Sequence, residues 1–134
     1  MKVVDTSVVV AAFASWHESH ALALRALAER PALPVPCALE TYAVLTRLPP
    51  PHRARPDVVR DFLAATFPGP RLSLDPAVAG RLIDSLVERG VSGGAAYDAV
   101  IALVAVGVGA TLVTLDTRAR ATYDRMGVAT QFLG

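Results

Sequence analysis

A chain of 134 residues and 14.1 kDa, 53% of it hydrophobic, has the size of one domain built around one core, with no room for a second. Only 19% of its residues are charged, which excludes a disordered tail or a highly charged coiled coil. The formal charge of +1 excludes a strong overall field for nucleic acid, although twelve of the thirteen cations are arginine, the side chain suited to bidentate phosphate contacts.

In chain order, residues 2–4 are expected as a short buried strand, followed by helices over 6–14 and 17–30. After Pro31, residues 33–36 read as a second strand and 38–48 as a helix. The run 49–56, with four prolines, cannot continue that helix and is expected as an exposed loop. A helix over 57–67 and a short strand over 71–74 follow. Asp75-Pro76 pairs an N-cap with a proline at the first helical position, and the helix it opens runs to about Arg89 and stops at Gly90. Gly93-Gly94 precede a helix over 95–106, and residues 107–109 form its exit. Residues 111–115 are a β-branched strand, 117–125 the final helix and 128–132 the last strand. Helices alternate with strands that are apolar on both faces. The expected fold is therefore α/β, a mostly parallel sheet of four to five strands between two layers of helices, in one domain over 1–134.

One cysteine, Cys37, excludes an internal disulfide and a cysteine-based zinc cage, and it reads as a small packed side chain in a reducing compartment. Asp5 interrupts the apolar start of the chain, against a signal peptide. The longest uncharged stretch, 99–115, would span about 25 Å as one helix, short of a hydrocarbon core of about 30 Å. No membrane association is expected, and a cytoplasmic location is.

In parallel sheets, ligands bind beyond the carboxyl ends of the strands, beside the helices that follow. Asp5 ends the first strand and Asp116 follows the strand over 111–115. Glu40 is expected in the first turn of the helix over 38–48, on the apolar stripe it makes with Val44 and Leu48. Asp5 and Asp116 also suit helix N-caps, and Glu40 also suits an ordinary first-turn acid. Asp98 is the most informative, because the helix 95–106 is apolar on every side and no Lys or Arg lies within four residues of it. By contrast, Asp84 and Glu88 lie beside Arg81 and Arg89, as on a solvated helix face.

Converging carboxylates repel one another and protonate unless cations sit among them. Hard oxygen ligands suit Mg²⁺ or Mn²⁺, ions that activate water and stabilise the oxygens of a phosphodiester in displacement. Setting these four acids aside leaves eight acids against thirteen cations, a mildly basic surround for an acidic pocket.

Asp5-Thr6-Ser7 after an opening strand, Glu40 at the start of a helix, Tyr97-Asp98-Ala99 opening an apolar helix and Thr114-Leu115-Asp116 ending a late strand resemble a PIN-domain ribonuclease, and most of all the VapC-type toxins of toxin–antitoxin pairs. The resemblance implies a three-layer fold and cleavage of RNA by metal-activated water. Asp5, Glu40, Asp98 and Asp116 would be the catalytic acids holding Mg²⁺ or Mn²⁺, with the hydroxyls of Ser7 and Thr114 orienting them. Many members carry a further acid two residues beyond the last aspartate, where this chain has Arg118, a departure that bears on a second metal. The resemblance also implies a homodimer and a small cognate antitoxin whose tail occupies the groove.

Arg47, Arg53 and Arg55 with His52, and Arg118, are candidates to line an RNA path, since phosphate contacts supply most nucleic-acid affinity. A merely soluble Pro/Arg loop would account for the first four equally well. His17 and His20 lack a third metal ligand and read as helix-surface residues. A phosphoacceptor receiver domain also gathers acids at strand ends, but it needs a lysine near a late strand and the only lysine is Lys2. A non-catalytic module of the same fold, or a nuclease directed at DNA, would also be compatible with these residues.

Overall fold

The computed structural model describes residues 1–134. Strands β1 (Lys2–Val4), β2 (Thr111–Thr114) and β3 (Thr130–Phe132) form a parallel sheet in the order β1-β2-β3, with Val3 opposite Leu112 and Val113 opposite Gln131. Neighbouring strand residues point to opposite faces, and Val3, Val4, Leu112 and Val113 are all buried, so helices cover both sides of the sheet.

The strands expected at 33–36 and 71–74 shrink to single parallel bridges, Val3 with Ala32 and Pro34 with Leu72. They still extend the sheet beyond β1. The Ala32 N–H donates to the Lys2 carbonyl (2.9 Å) and the Leu72 N–H to the Leu33 carbonyl (3.0 Å). Longer ladders are blocked because Pro31, Pro34, Pro36 and Pro70 have no N–H to give. Arg71 turns away to close the preceding helix, α4 (Pro56–Thr66), its guanidinium donating to the carbonyls of Phe67 and Leu63.

Helix α1 (Thr6–Phe13) buries Val8, Val9, Ala11 and Ala12 and packs on α2 (His20–Leu27), α3 (Val35–Thr46) and β2. Helix α2 is shorter than the expected 17–30. At its start His17 Nδ1 accepts the Ser19 N–H (3.0 Å), a local bond that favours a turn. At its end Arg30 adopts a left-handed φ of 55° ahead of Pro31, which disfavours a helical predecessor. Helix α3 begins three residues earlier than expected, because Pro36 sits in its first turn, where a missing N–H is harmless. Glu40 consequently lies in the second turn. The single helix expected from Pro76 breaks at Gly80 into α5 (Pro76–Gly80) and α6 (Leu82–Glu88).

Helix α7 (Ala95–Gly107) buries Ala99, Ile101, Ala102, Val104 and Ala105, but Tyr97 and Val106 stand exposed, so it is not buried all round as its composition implied. A 3₁₀ turn (Thr117–Ala119) precedes α8 (Arg120–Met126), which ends at Gly127 in the left-handed conformation usual for that position.

Candidate active site

Because β1 and β2 are neighbours in parallel register, Asp5 and the segment Thr114–Asp116 leave the sheet side by side, and the Asp5 N–H donates to the Val113 carbonyl at 3.2 Å. Asp5 caps α1, and only 3% of it is exposed. Its Oδ1 accepts from the Ser7 N–H (3.1 Å) and Ser7 Oγ (2.5 Å). Its Oδ2 accepts from Thr114 Oγ1 (2.5 Å) and the Tyr123 hydroxyl (2.8 Å). An ionised carboxylate only accepts, so both hydroxyls donate to Asp5, while Ser7 Oγ in turn accepts the Leu115 N–H (2.9 Å) and Thr114 Oγ1 the Asp116 N–H (2.9 Å). Burial raises the Asp5 pKa, and the donors from Ser7, Thr114 and Tyr123 work against that rise.

Asp98, in the first turn of α7, is half-buried, and no group donates to it. Burial, then the charges of Asp116, Asp5 and Glu40, push its carboxyl up to about 6, with Arg118 pulling the other way. The four acids therefore share one electrostatic neighbourhood. Asp116 caps the 3₁₀ turn through the Arg118 N–H (2.9 Å), and its Oδ1 lies 3.6 Å from Arg118 Nε. Asp5 and Asp116 are thus true caps; Asp116 also lines an open cleft, while Asp5 lies buried behind it. Glu40 is exposed on α3 and, with Thr6, Ser7, Val44, Asp116 and Arg118, lines this cleft of about 540 Å³.

The donors are all hard oxygens, with mutual repulsion that a cation relieves. No three acid, histidine or cysteine side chains close on one point as a ready cage. Mg²⁺ keeps several of its waters and does not need a closed protein cage, so acids gathered without closing on one point fit such an ion.

Of the candidate RNA contacts, Arg118 lines the cleft, while Arg47, Arg53 and Arg55 stand exposed at or beyond the end of α3. Arg55 pairs with Asp57 (2.7 Å), and Arg53 Nε donates to the Leu48 carbonyl (2.9 Å). His17 lines the cleft, whereas His20 Nδ1 bonds the Ala11 carbonyl (2.8 Å). Cys37 is fully buried, and burial, with Asp5 and Glu40 nearby, pushes its thiol up into an inert range.

Sequence reasoning missed Tyr123, whose hydroxyl reaches Asp5 across 118 residues. Ala119, Tyr123 and Met126 form one buried stripe, and a buried tyrosine needs a partner for its hydroxyl. That stripe was the available signal.

A PIN-domain model matches residues 2–125, and the chain belongs to the PIN-domain family. Within it, the chain is 47% identical over 129 residues, 96% of each protein, to Ribonuclease VapC40 of Mycobacterium tuberculosis. It is 40% identical over 126 residues to Ribonuclease VapC27 of the same organism, covering 93% of this chain and 91% of that one. Both relatives are of the VapC type that the sequence motifs resemble. Among solved structures, FitAcB from Neisseria gonorrhoeae matches with a TM-score of 0.70 at 20% identity, covering 97% of this chain and 96% of that one, a likeness of fold.

Proposed function

We propose that the protein is a divalent-metal-dependent endoribonuclease of the VapC type, the toxin of a toxin–antitoxin pair. The observation that carries this reading is Asp98, a half-buried carboxylate with no donor, set among three further acids. The names of the two M. tuberculosis relatives support RNA as the substrate. Asp5, Glu40, Asp98 and Asp116 would hold Mg²⁺ or Mn²⁺. Bound there, the ion supplies a Lewis acid for water and for the phosphodiester oxygens.

The chain's own groups do the positioning. Ser7 and Thr114 hold their protons on Asp5, and with Tyr123 they fix the plane of its carboxylate. Asp98 contributes the charge that selects a cation. Arg118, on the rim of the cleft, supplies a phosphate contact. On this reading the enzyme works in the cytoplasm as a homodimer, and a small antitoxin silences it by occupying the cleft.

The test is cleavage of a fluorescently labelled RNA by the parent and by Asp98→Asn, with Mg²⁺, with Mn²⁺ and with EDTA. Metal-dependent cutting that the variant lacks is expected. Cutting by the variant at the parental rate, or preferential cutting of a DNA of the same sequence, would overturn the reading. Induced expression should also arrest growth, with relief on co-expression of a small cognate antitoxin.

A further inference from the structure

Trp16 is the only tryptophan, and 52% of it is exposed in the turn that follows α1. It lies outside the buried hydrophobic core. Instead its indole lies against the imidazole of His52 in a tilted contact, with ring centroids 4.3 Å apart and planes at 36°. These rings come from different elements whose neighbouring residues line the cleft, although neither ring lines it itself. One wall runs along α1 through Ser7 and Val10 to His17, the residue after Trp16. The other runs along α3 through Glu40 and Val44 and leads into the loop that carries His52. Trp16 follows the C-terminal end of α1, a helix about 12 Å long at 1.5 Å per residue, whose opposite end is capped by Asp5. His52 is followed by the exposed Arg53 and Arg55.

Solvent-open aromatic rings, one in a segment rich in arginine and the other next along the chain to a residue that lines a cleft, offer the stacking face by which proteins hold single-stranded nucleic acid. Resting on the ribonuclease reading, we infer that Trp16, braced by His52, is a platform on which one base of the RNA stacks, away from the scissile phosphate. It is a substrate-binding residue that sets where along a strand the cut falls.

The single indole gives a direct readout. Asp98→Asn protein is titrated with labelled single-stranded oligouridine and oligoadenine, following tryptophan emission and the anisotropy of the RNA label together. RNA is expected to quench the emission as the anisotropy rises. Trp16→Leu, which keeps apolar bulk but no ring face, should weaken RNA binding about tenfold, near the low end for stacking one base. In the cutting-competent enzyme it should raise KM with kcat unchanged, and Trp16→Phe should recover most of the loss. RNA that binds by anisotropy without changing the indole emission, or Trp16→Leu binding as tightly as the parent, overturns the platform and leaves the ribonuclease reading standing. A folded protein that binds no RNA at all removes both.

Discussion

Asp5 and Asp98 belong to one acidic neighbourhood and differ in nearly everything else. Asp5 is the more deeply buried, yet four donors engage its two oxygens, and three of them come from side chains. Asp98 is more open to solvent, yet nothing donates to it and three like charges face it. Burial alone therefore does not mark the group that needs a ligand from outside. What marks it is the shortfall of donors, which the fold meets at Asp5 and leaves unmet at Asp98. The corner around Asp5 should behave as structure that orients a catalytic acid, and Asp98 as function held at some cost in stability.

The largest effect that sharpens this contrast is on turnover. Asp98→Asn keeps the shape of the side chain and removes its charge, so RNA cleavage in Mg²⁺ should fall by on the order of 10²-fold or more. The fold should be unchanged by circular dichroism. A variant that loses helical signal along with activity would make Asp98 structural and erase the distinction.

The Asp5 corner should respond in the opposite manner. Thr114→Val removes a donor to a buried carboxylate and leaves the Asp116 N–H without its acceptor, which should cost about 2 kcal/mol in chemical denaturation. Tyr123→Phe deletes only the hydroxyl that reaches Asp5 and should cost about 1–2 kcal/mol. In both, metal affinity should drop by about 10–100-fold through loss of orientation. Full stability in either variant would show that the donors around Asp5 are dispensable.

The same contrast explains what is legible in the sequence. Asp98 stands out because charge in an apolar helix with no nearby cation is anomalous from local information alone. The inner strands are legible because Val3, Val4, Leu112 and Val113 are apolar on both faces. The outer segments are not, since whether 33–36 and 71–74 form ladders depends on where prolines remove donors relative to a partner strand. Glu40 lies one turn later in its helix than expected because Pro36 is as compatible with the first turn of a helix as with the end of a strand. The stripe of Ala119, Tyr123 and Met126 marks Tyr123 as buried, but its contact with Asp5, like the Trp16–His52 pair, is made by the fold between distant segments and is not encoded by any local pattern.

A smaller effect concerns pH. In the folded protein the Asp98 carboxyl is pushed up to about 6, above the ordinary 3.8 of an unfolded aspartate, so the native state binds its proton more tightly. Stability of the metal-free protein should therefore fall as pH rises from about 4 to about 6, with the penalty fully present above that window. At a half-exposed carboxylate the penalty is about 1 kcal/mol once solvent screening is allowed for. Asp5, also raised by burial, adds in the same direction. Melting temperatures of the parent and Asp98→Asn in EDTA should diverge across this range, the variant being the more stable at pH 7. Mn²⁺ should restore the parent and leave the variant nearly unmoved. Parallel curves for the two proteins would mean that Asp98 is not the source of the strain.

The smallest change in stability is expected at Arg118, the cation nearest the acids. Its side chain is 94% exposed and lies 3.6 Å from Asp116, a surface pair of the kind that contributes little because water screens it. Arg118→Ala should leave the melting temperature within error of the parent. It should nevertheless weaken RNA binding and lower the salt dependence of that binding by about one unit of log–log slope, because one phosphate contact is lost. If stability fell as far as in Tyr123→Phe, the guanidinium would count as a donor that the acids need in order to fold. The line between the satisfied and the unsatisfied side of the site would then have to be drawn between Asp116 and Asp98.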